Sequence, residues 1–519
     1  MSRWPGQPGP GSGRAGLAVM TVSFGCTFAV AVAGPSVMEP ALPGRSGQPP
    51  WAFGAHLSPY LAAGLTAAGL AAGALGLILV LRASRAGWPV PARALLLAGL
   101  LAAAALTLVP PFGSSDQLSY AAYGRMLVTG HNPYTTTPAQ LAALGDPVAR
   151  AVQDWFTTSS VYGPLATGVQ GLASLAGGTS VRLTVFVLGL VNLAAFAGTG
   201  LLLHRMTRSD PARQLRAALL WTANPVLLQV LVAGGHLDTQ AVVFVVAAVA
   251  VLRGPRASSP FWAATAGVLA GLGFAVKVSG VLAGLGLVVA LVLRPRPGWR
   301  RLWPPLASLT AGFVVTAGAA VAVGGPAMLG QLSRESGMVS IGSPWRIIRT
   351  LIHLVVAGTA ATDIVKAGAA ALAVVLAVLL IRGLPGGGET VVFAVVLAWL
   401  FAWPYVLPWY DALAWALLPL AAWGPPAGDA IAWLLLARTT ALGFGYLPAR
   451  QADAALPPGL SWLQPVIRHG LTPAVLAAAT VWLVVLMLRA RRAPLPVPEG
   501  TMDSRPAAMK ARDEGTVIR

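Results

Sequence analysis

SSDQLSYAAYGRMLVTGHNPYTTTP, residues 114–138, is a long polar loop in a chain otherwise built of apolar runs. It places a carboxylate (Asp116), a base-capable imidazole (His131) and three phenols (Tyr120, Tyr123 and Tyr134) between two hydrophobic stretches. The composition around it decides the fold class. Of 519 residues, 56% are hydrophobic and only 10% charged, against roughly 25% charged in a soluble domain. Such a chain cannot cover a water-facing surface and reads as an all-α, polytopic bundle of membrane helices. The single cysteine, Cys26, lies inside the first apolar run, so intrachain disulfides and cysteine metal sites are excluded. The net charge of +19 sits mostly between hydrophobic runs, where the positive-inside rule and anionic lipids explain it. No soluble region is left to bind nucleic acid.

Working outward, apolar runs long enough to cross a bilayer, or nearly so, recur along the chain. They cover Leu17–Gly34, Leu61–Leu81, Arg93–Val109, Val181–Leu203, Arg216–Val232, Gln240–Leu252, Trp262–Val276, Ser279–Leu293, Leu306–Val323, Ile364–Ile381, Val391–Leu407, Ala412–Trp423, Ala430–Phe444 and Ala474–Leu488. The expectation is a bundle of about 13–14 spans, several shortened by Gly or Pro, as tolerated where protein shelters the backbone. The first run, ending AVAVAG, also has the look of a signal peptide. The organisation expected is a disordered cytoplasmic N-terminus (1–14), three spans (15–110), an extracytoplasmic catalytic loop folded on the membrane surface (111–180), the remaining spans (181–490) and a disordered cytoplasmic tail (491–519).

Alternate counting of spans gathers Arg82, Arg85, Arg93, Arg205, Arg208, Arg213, Arg216, Arg253, Arg256, Arg294, Arg296, Arg300, Arg301, Arg382, Arg489, Arg491 and Arg492 on one side. By the positive-inside rule that side is cytoplasmic, which places both termini inside and the Asp116 loop outside a multi-pass plasma-membrane protein.

The outer side then collects Asp116, His131, Tyr162, His236, Asp238, Lys277, Arg334, Glu335, Arg346, Arg349, Trp409, Tyr410 and Asp411. Ionisable groups in a membrane are costly and mark function. Sugar transfer from a phospholipid carrier needs a base for the acceptor hydroxyl and cations for the departing phosphate. Asp116 suits the first role; Lys277, His236, Arg346 and Arg349 suit the second. Tyr123, Tyr134, Trp409 and Tyr410 suit the faces of a sugar. Each has a plainer reading. Asp116 would cap a helix beginning near Leu118, His131 would fill a turn, and His236 and Asp238 would pair with each other. Lys277 would snorkel to the interface, Arg346 and Arg349 would meet lipid headgroups, and Trp409 and Tyr410 would form an aromatic belt. No nucleotide-binding glycine pattern or Asp-x-Asp motif is present, which favours a lipid-linked donor.

The strings SDQLSYAAYGRMLVTGHNPYTTTP, VYGPL, NPVLLQVLVAGGHLDTQAVV and GFAVKVSG resemble the actinobacterial polyprenol-phosphate-mannose-dependent α-1,6-mannopyranosyltransferases of the GT-C class. The likeness runs from about Pro110 to Leu285. The family's turn commonly reads Gly-His-Asn-Asp; here Leu237 stands for the asparagine while His236 and Asp238 keep their places. The resemblance implies inverting transfer of mannose from a β-linked polyprenyl phosphate to a mannan or lipomannan acceptor, with Asp116 as base. No residue is assigned as a metal ligand, and relatives of this class differ in whether they need a divalent ion. Another polyprenyl-phosphate sugar, a flippase for a lipid-linked glycan and a non-catalytic envelope subunit are the alternatives; the long outer loop with its carboxylate favours an enzyme.

Overall fold

A computed structural model describes residues 10–294, 298–356, 358–421, 427–448 and 456–490. Among them the structure is helical, without a named strand: α1 (Pro10–Ala33), α2 (Pro59–Arg85), α3 (Ala92–Thr107), α4 (Asp116–Val128), α5 (Pro138–Ala143), α6 (Pro147–Arg150), α7 (Pro164–Gly177), α8 (Val181–Met206), α9 (Pro211–Leu220), α10 (Pro225–Leu227), α11 (Asp238–Val251), α12 (Pro260–Val276), α13 (Val281–Val292), α14 (Trp299–Ser336), α15 (Pro344–Ile352), α16 (Ala360–Gly383), α17 (Gly388–Ala402), α18 (Ala412–Leu417), α19 (Ala427–Phe444) and α20 (Thr472–Ala490). Each of the fourteen apolar runs contains helix, though Val391–Leu407 leaves it after Ala402 and the described part of the run from Ala412 leaves it after Leu417. Seven helices among the described residues are long and apolar enough to cross a membrane, and five shorter apolar ones accompany them. The two runs outside these twelve helices begin at Ala412, on the six-residue α18, and at Ala430, on α19.

One expectation at the N-terminus changes. Residues 10–14, assigned to a disordered segment, are already the first turn of α1, and that helix is built into the bundle. Ser23 Oγ donates to the Gly69 carbonyl (2.7 Å), Thr27 Oγ1 donates to Gln229 Oε1 (3.2 Å) and Gln229 Nε2 donates to the Thr66 carbonyl (2.9 Å). The close approach that these bonds need is made at Gly73, where an added Cβ would lie 2.8 Å from Ser23 Oγ. Small residues and interhelical hydrogen bonds are the usual substitutes for hydrophobic drive between membrane helices. Residues 1–9, the tail 491–519 with Arg491 and Arg492, Arg296 and Trp423 lie outside the described residues.

The loops grouped by their arginines do meet at one end. Arg85 and Arg216 both pair with Asp429, Arg213 donates to the Leu420 carbonyl (2.7 Å), and Arg253 pairs with Glu389 (2.6 Å) and donates to the Met206 carbonyl (2.7 Å). At the other end, residues 111–180 form the surface layer α4 to α7. Half of the polar stretch 114–138 is therefore helix, because Leu118, Ala121 and Ala122 share a face that is buried against Leu42, Val148, Val152, Val181 and Val185.

Candidate active site: a carboxylate and two cations around one cavity

The residue before α4 sets the direction of the carboxylate. Ser115 stands at the N-cap but makes no side-chain cap bond, and its hydroxyl donates instead to Asp154 Oδ2 (2.9 Å). Asp116 is the first helical residue, so the reading of it as the cap does not hold. Its Oδ1 accepts the indole N–H of Trp155 (3.3 Å), and Oδ2 faces His236 Nδ1 at 3.6 Å.

His236 arrives by a turn that the sequence encodes in detail. The Asn224 side chain caps α10 by accepting from the Val226 and Leu227 amides; the chain then widens into a π-helical turn, Leu228–Val232. Gly235, at φ +67°, reverses the chain where a side chain would be strained. Asn192 Nδ2 donates to the Gly235 carbonyl (3.1 Å), and the Phe112 amide donates to the Ala233 carbonyl (2.9 Å), tying the turn to the approach to Asp116. The ring of His236 lies flat on Trp409, with centroids 3.5 Å apart.

Lys277, at the break after α12, is 7% exposed; it donates to Asp238 Oδ1 (2.8 Å) and sits 4.0 Å from the centroid of the Tyr410 ring. Next to it, Gly163 donates its amide to the Val276 carbonyl (3.0 Å), at a spot where a Cβ would collide with the Ala275 carbonyl. That contact sets Tyr162 edge-on against Tyr120, with centroids 5.2 Å apart. Burial, with Asp116 nearby, pushes both phenols well above the ordinary tyrosine range, so they remain neutral O–H groups.

These side chains surround a cavity of about 580 Å³. Asp116 and Lys277 reach it from the surface layer and α12; Gln331 and Arg334 come from the far end of α14. That end is aimed by a break inside α14, where Gly325 takes φ +71° and is followed by Pro326. Gln331 Nε2 donates to the Tyr134 carbonyl (3.2 Å), which fixes this segment against the surface layer. Among the described residues no group of three or more His, Cys, Asp or Glu side chains is arranged to hold a metal ion.

A family profile described as α-(1→6)-mannopyranosyltransferase, N-terminal domain, matches residues 20–294, just over half of the 519. The chain belongs to this family. Three curated relatives carry the same activity in their names. An α-(1→6)-mannopyranosyltransferase of Mycobacterium tuberculosis is 27% identical over 64% of this chain and 65% of its own length. The α-(1→6)-mannopyranosyltransferase A of Corynebacterium glutamicum is 29% identical over 25% of this chain and 26% of its own length. A probable α-(1→6)-mannopyranosyltransferase of Mycolicibacterium smegmatis is 32% identical over 25% and 24%. The chain thus spans from a quarter to just under two thirds of the relatives it matches. No solved structure matches it significantly.

Within this mannopyranosyltransferase fold, Asp116, Tyr123, Tyr134, Tyr162, Lys277, Trp409 and Tyr410 line the cavity, while His236 and Asp238 stand behind it on Asp116 and Lys277. The pairing of His236 with Asp238 and the snorkelling of Lys277 are both replaced by these contacts. Trp409 and Tyr410, at 3% and 9% exposure, are no lipid-facing belt. Tyr123 and Tyr134 spend their hydroxyls within the protein, on the Thr158 carbonyl (2.9 Å) and Thr167 Oγ1 (3.1 Å), so what they offer the cavity is ring surface.

Four residues fall elsewhere. His131 faces Thr129 Oγ1 (3.1 Å) outside the cavity wall. Arg346 and Arg349 ride on α15, a helix with no buried residue, also outside it. Asp411 is fully buried with Arg438 (2.9 Å) and Thr439 (2.8 Å), a packing role. Sequence reading missed Trp155, Gln331 and Tyr446 in the wall, and Arg334 was noted there only as an outer-side charge.

Proposed function

We propose that this chain transfers mannose from a β-linked polyprenyl phosphate to a hydroxyl of a mannan or lipomannan acceptor, with inversion, on the outer face of the plasma membrane. The observation that carries this reading is the sharing of one cavity by the Asp116 carboxylate, Lys277 and Arg334 in a chain of this family. Asp116 takes the proton of the acceptor hydroxyl as that oxygen bonds to the anomeric carbon. The bond from that carbon to the phosphate oxygen breaks on the opposite face, and the phosphate leaves as an anion held by cations. Lys277 acts as a point charge moderated by Asp238; Arg334, whose planar fork suits two phosphate oxygens, supplies the remainder. The rings of Tyr123, Tyr134, Tyr162 and Tyr410 pack on the sugar, and Trp409 supports His236. Multi-pass topology with both termini inside follows from the arginine-rich end being cytoplasmic.

The test is transfer from radiolabelled polyprenyl-phosphate-mannose in membranes holding equal amounts of wild type or Asp116→Asn. The expected result is transfer by wild type and a loss of about 10²-fold or more in the variant. Equal transfer by both removes Asp116 as the base, and wild-type use of a different polyprenyl-phosphate sugar in place of mannose overturns the donor.

A further inference from the structure

Trp155 has φ +62°, a left-handed conformation at a bulky aromatic residue. Such a conformation is costly at a bulky residue and survives only where the surroundings over-determine it. Here they do. On one side the Asp154 carboxylate and carbonyl accept from Ser115 and Ser119 of the α4 start (2.9 and 3.2 Å). On the other, the Phe156 carbonyl accepts from the Ala139 amide of α5 (2.8 Å), and the Trp155 carbonyl accepts from the Thr158 amide (2.9 Å). Both flanks of the residue are pinned to the two helices beside the cavity. The geometry delivers the indole N–H to Asp116 Oδ1 at 3.3 Å, with the side chain lining the cavity wall.

We infer that Trp155 is a positioning residue of the transfer reaction, whose strained turn exists to aim its indole N–H at the Asp116 carboxylate. The inference rests on Asp116 being the base. With Oδ1 held by the Trp155 indole and Oδ2 facing His236 Nδ1, the carboxylate is kept in one rotation about its Cβ–Cγ bond on the cavity wall. The alternative is a bulky side chain that merely plugs the turn, in which case strain at this position would bring no benefit to chemistry.

The experiment compares wild type with Trp155→Phe, which keeps a ring and removes the N–H, and Trp155→Gly, which accepts the positive φ without strain. All are assayed for mannosyl transfer in membranes across pH 5–9, beside Asp116→Asn. In Trp155→Phe the expected outcome is a fall in kcat of about ten-fold with KM for the donor within about two-fold. The acid limb of the kcat profile should also move to higher pH, because a carboxylate that loses a donor holds its proton more tightly. Trp155→Gly should fold at least as well and lose as much activity. A wild-type kcat and an unmoved acid limb in Trp155→Phe would overturn the inference, as would full activity in Trp155→Gly. Asp116→Asn separates the two failures: if it is inactive while Trp155→Phe behaves as wild type, the positioning role alone falls; if it is active, the base assignment falls as well.

Discussion

At the scale of single residues, the contact between Lys277 and Asp238 has the sharpest consequence. Both are buried, and removing one partner leaves a charge without compensation, a loss of about 3–5 kcal/mol. Lys277→Met is expected to lower the unfolding midpoint in detergent and to abolish transfer. Lys277→Met with Asp238→Asn should recover most of the midpoint and none of the transfer, because the neutral pair packs but cannot meet a phosphate. Recovery of transfer in the double variant would show that Lys277 serves structure alone. Asp116, His236, Asp238 and Lys277 were legible in the sequence, since an ionisable group amid apolar residues stands out by type. Trp155 was not: what singles it out is a backbone angle. Arg346 and Arg349 lie outside the cavity for the converse reason: their charge is visible in the sequence, but the bearing of α15, which buries none of its residues fully, is set by tertiary packing.

At the scale of elements, two glycines do different work. Gly73 of α2 admits α1, and Gly73→Leu forces a side chain onto Ser23 and Pro225, an overpacking cost of about 1–3 kcal/mol. Its expected signature is a lower unfolding midpoint with transfer per folded molecule unchanged. Gly325 has open space around its missing Cβ, so Gly325→Ala costs only backbone strain, about 1–3 kcal/mol at a φ, ψ of +71°, 179° that is essentially confined to glycine. That strain is relieved by turning the segment that carries Gln331 and Arg334, so transfer should fall more than stability does. If Gly73→Leu and Gly325→Ala reduce the midpoint and the activity in the same proportion, the break in α14 has no special tie to the site. The spanning helices were readable from the length of apolar runs, because that length is a property of local sequence. The α14 break was not, since its Gly325–Pro326 pair sits at the edge of an apolar run where either residue alone is tolerated.

At the scale of the whole molecule, one buried acid makes stability depend on pH. Glu39 is 1% exposed with neither carboxyl oxygen hydrogen-bonded, and burial pushes its pKa up to about 9, with Arg182 opposing. The folded state thus holds a proton that the unfolded chain releases near 4.5, so stability falls as pH rises from that value toward 9. Glu39→Gln should match wild type at acidic pH and exceed it increasingly from pH 6 to 8, read as unfolding midpoints in nanodiscs; parallel curves would show that Glu39 ionises freely in the fold. The end-to-end sorting of arginines was legible from loop parity, whereas the Arg438–Asp411 pair inside the bundle was hidden by the apolar run around Arg438. The stack of His236 on Trp409 also has a meaning in time. Synthesis runs from the N-terminus, so the carboxylate, the imidazole and the ammonium reach the membrane well before the indole that His236 rests on has been translated. Lys277 can find Asp238 at once, but Tyr410, Trp409 and Tyr446 come only with the last quarter of the chain. The nascent protein therefore carries an unroofed cavity through most of its insertion, and its wall is complete only near the end of its own synthesis.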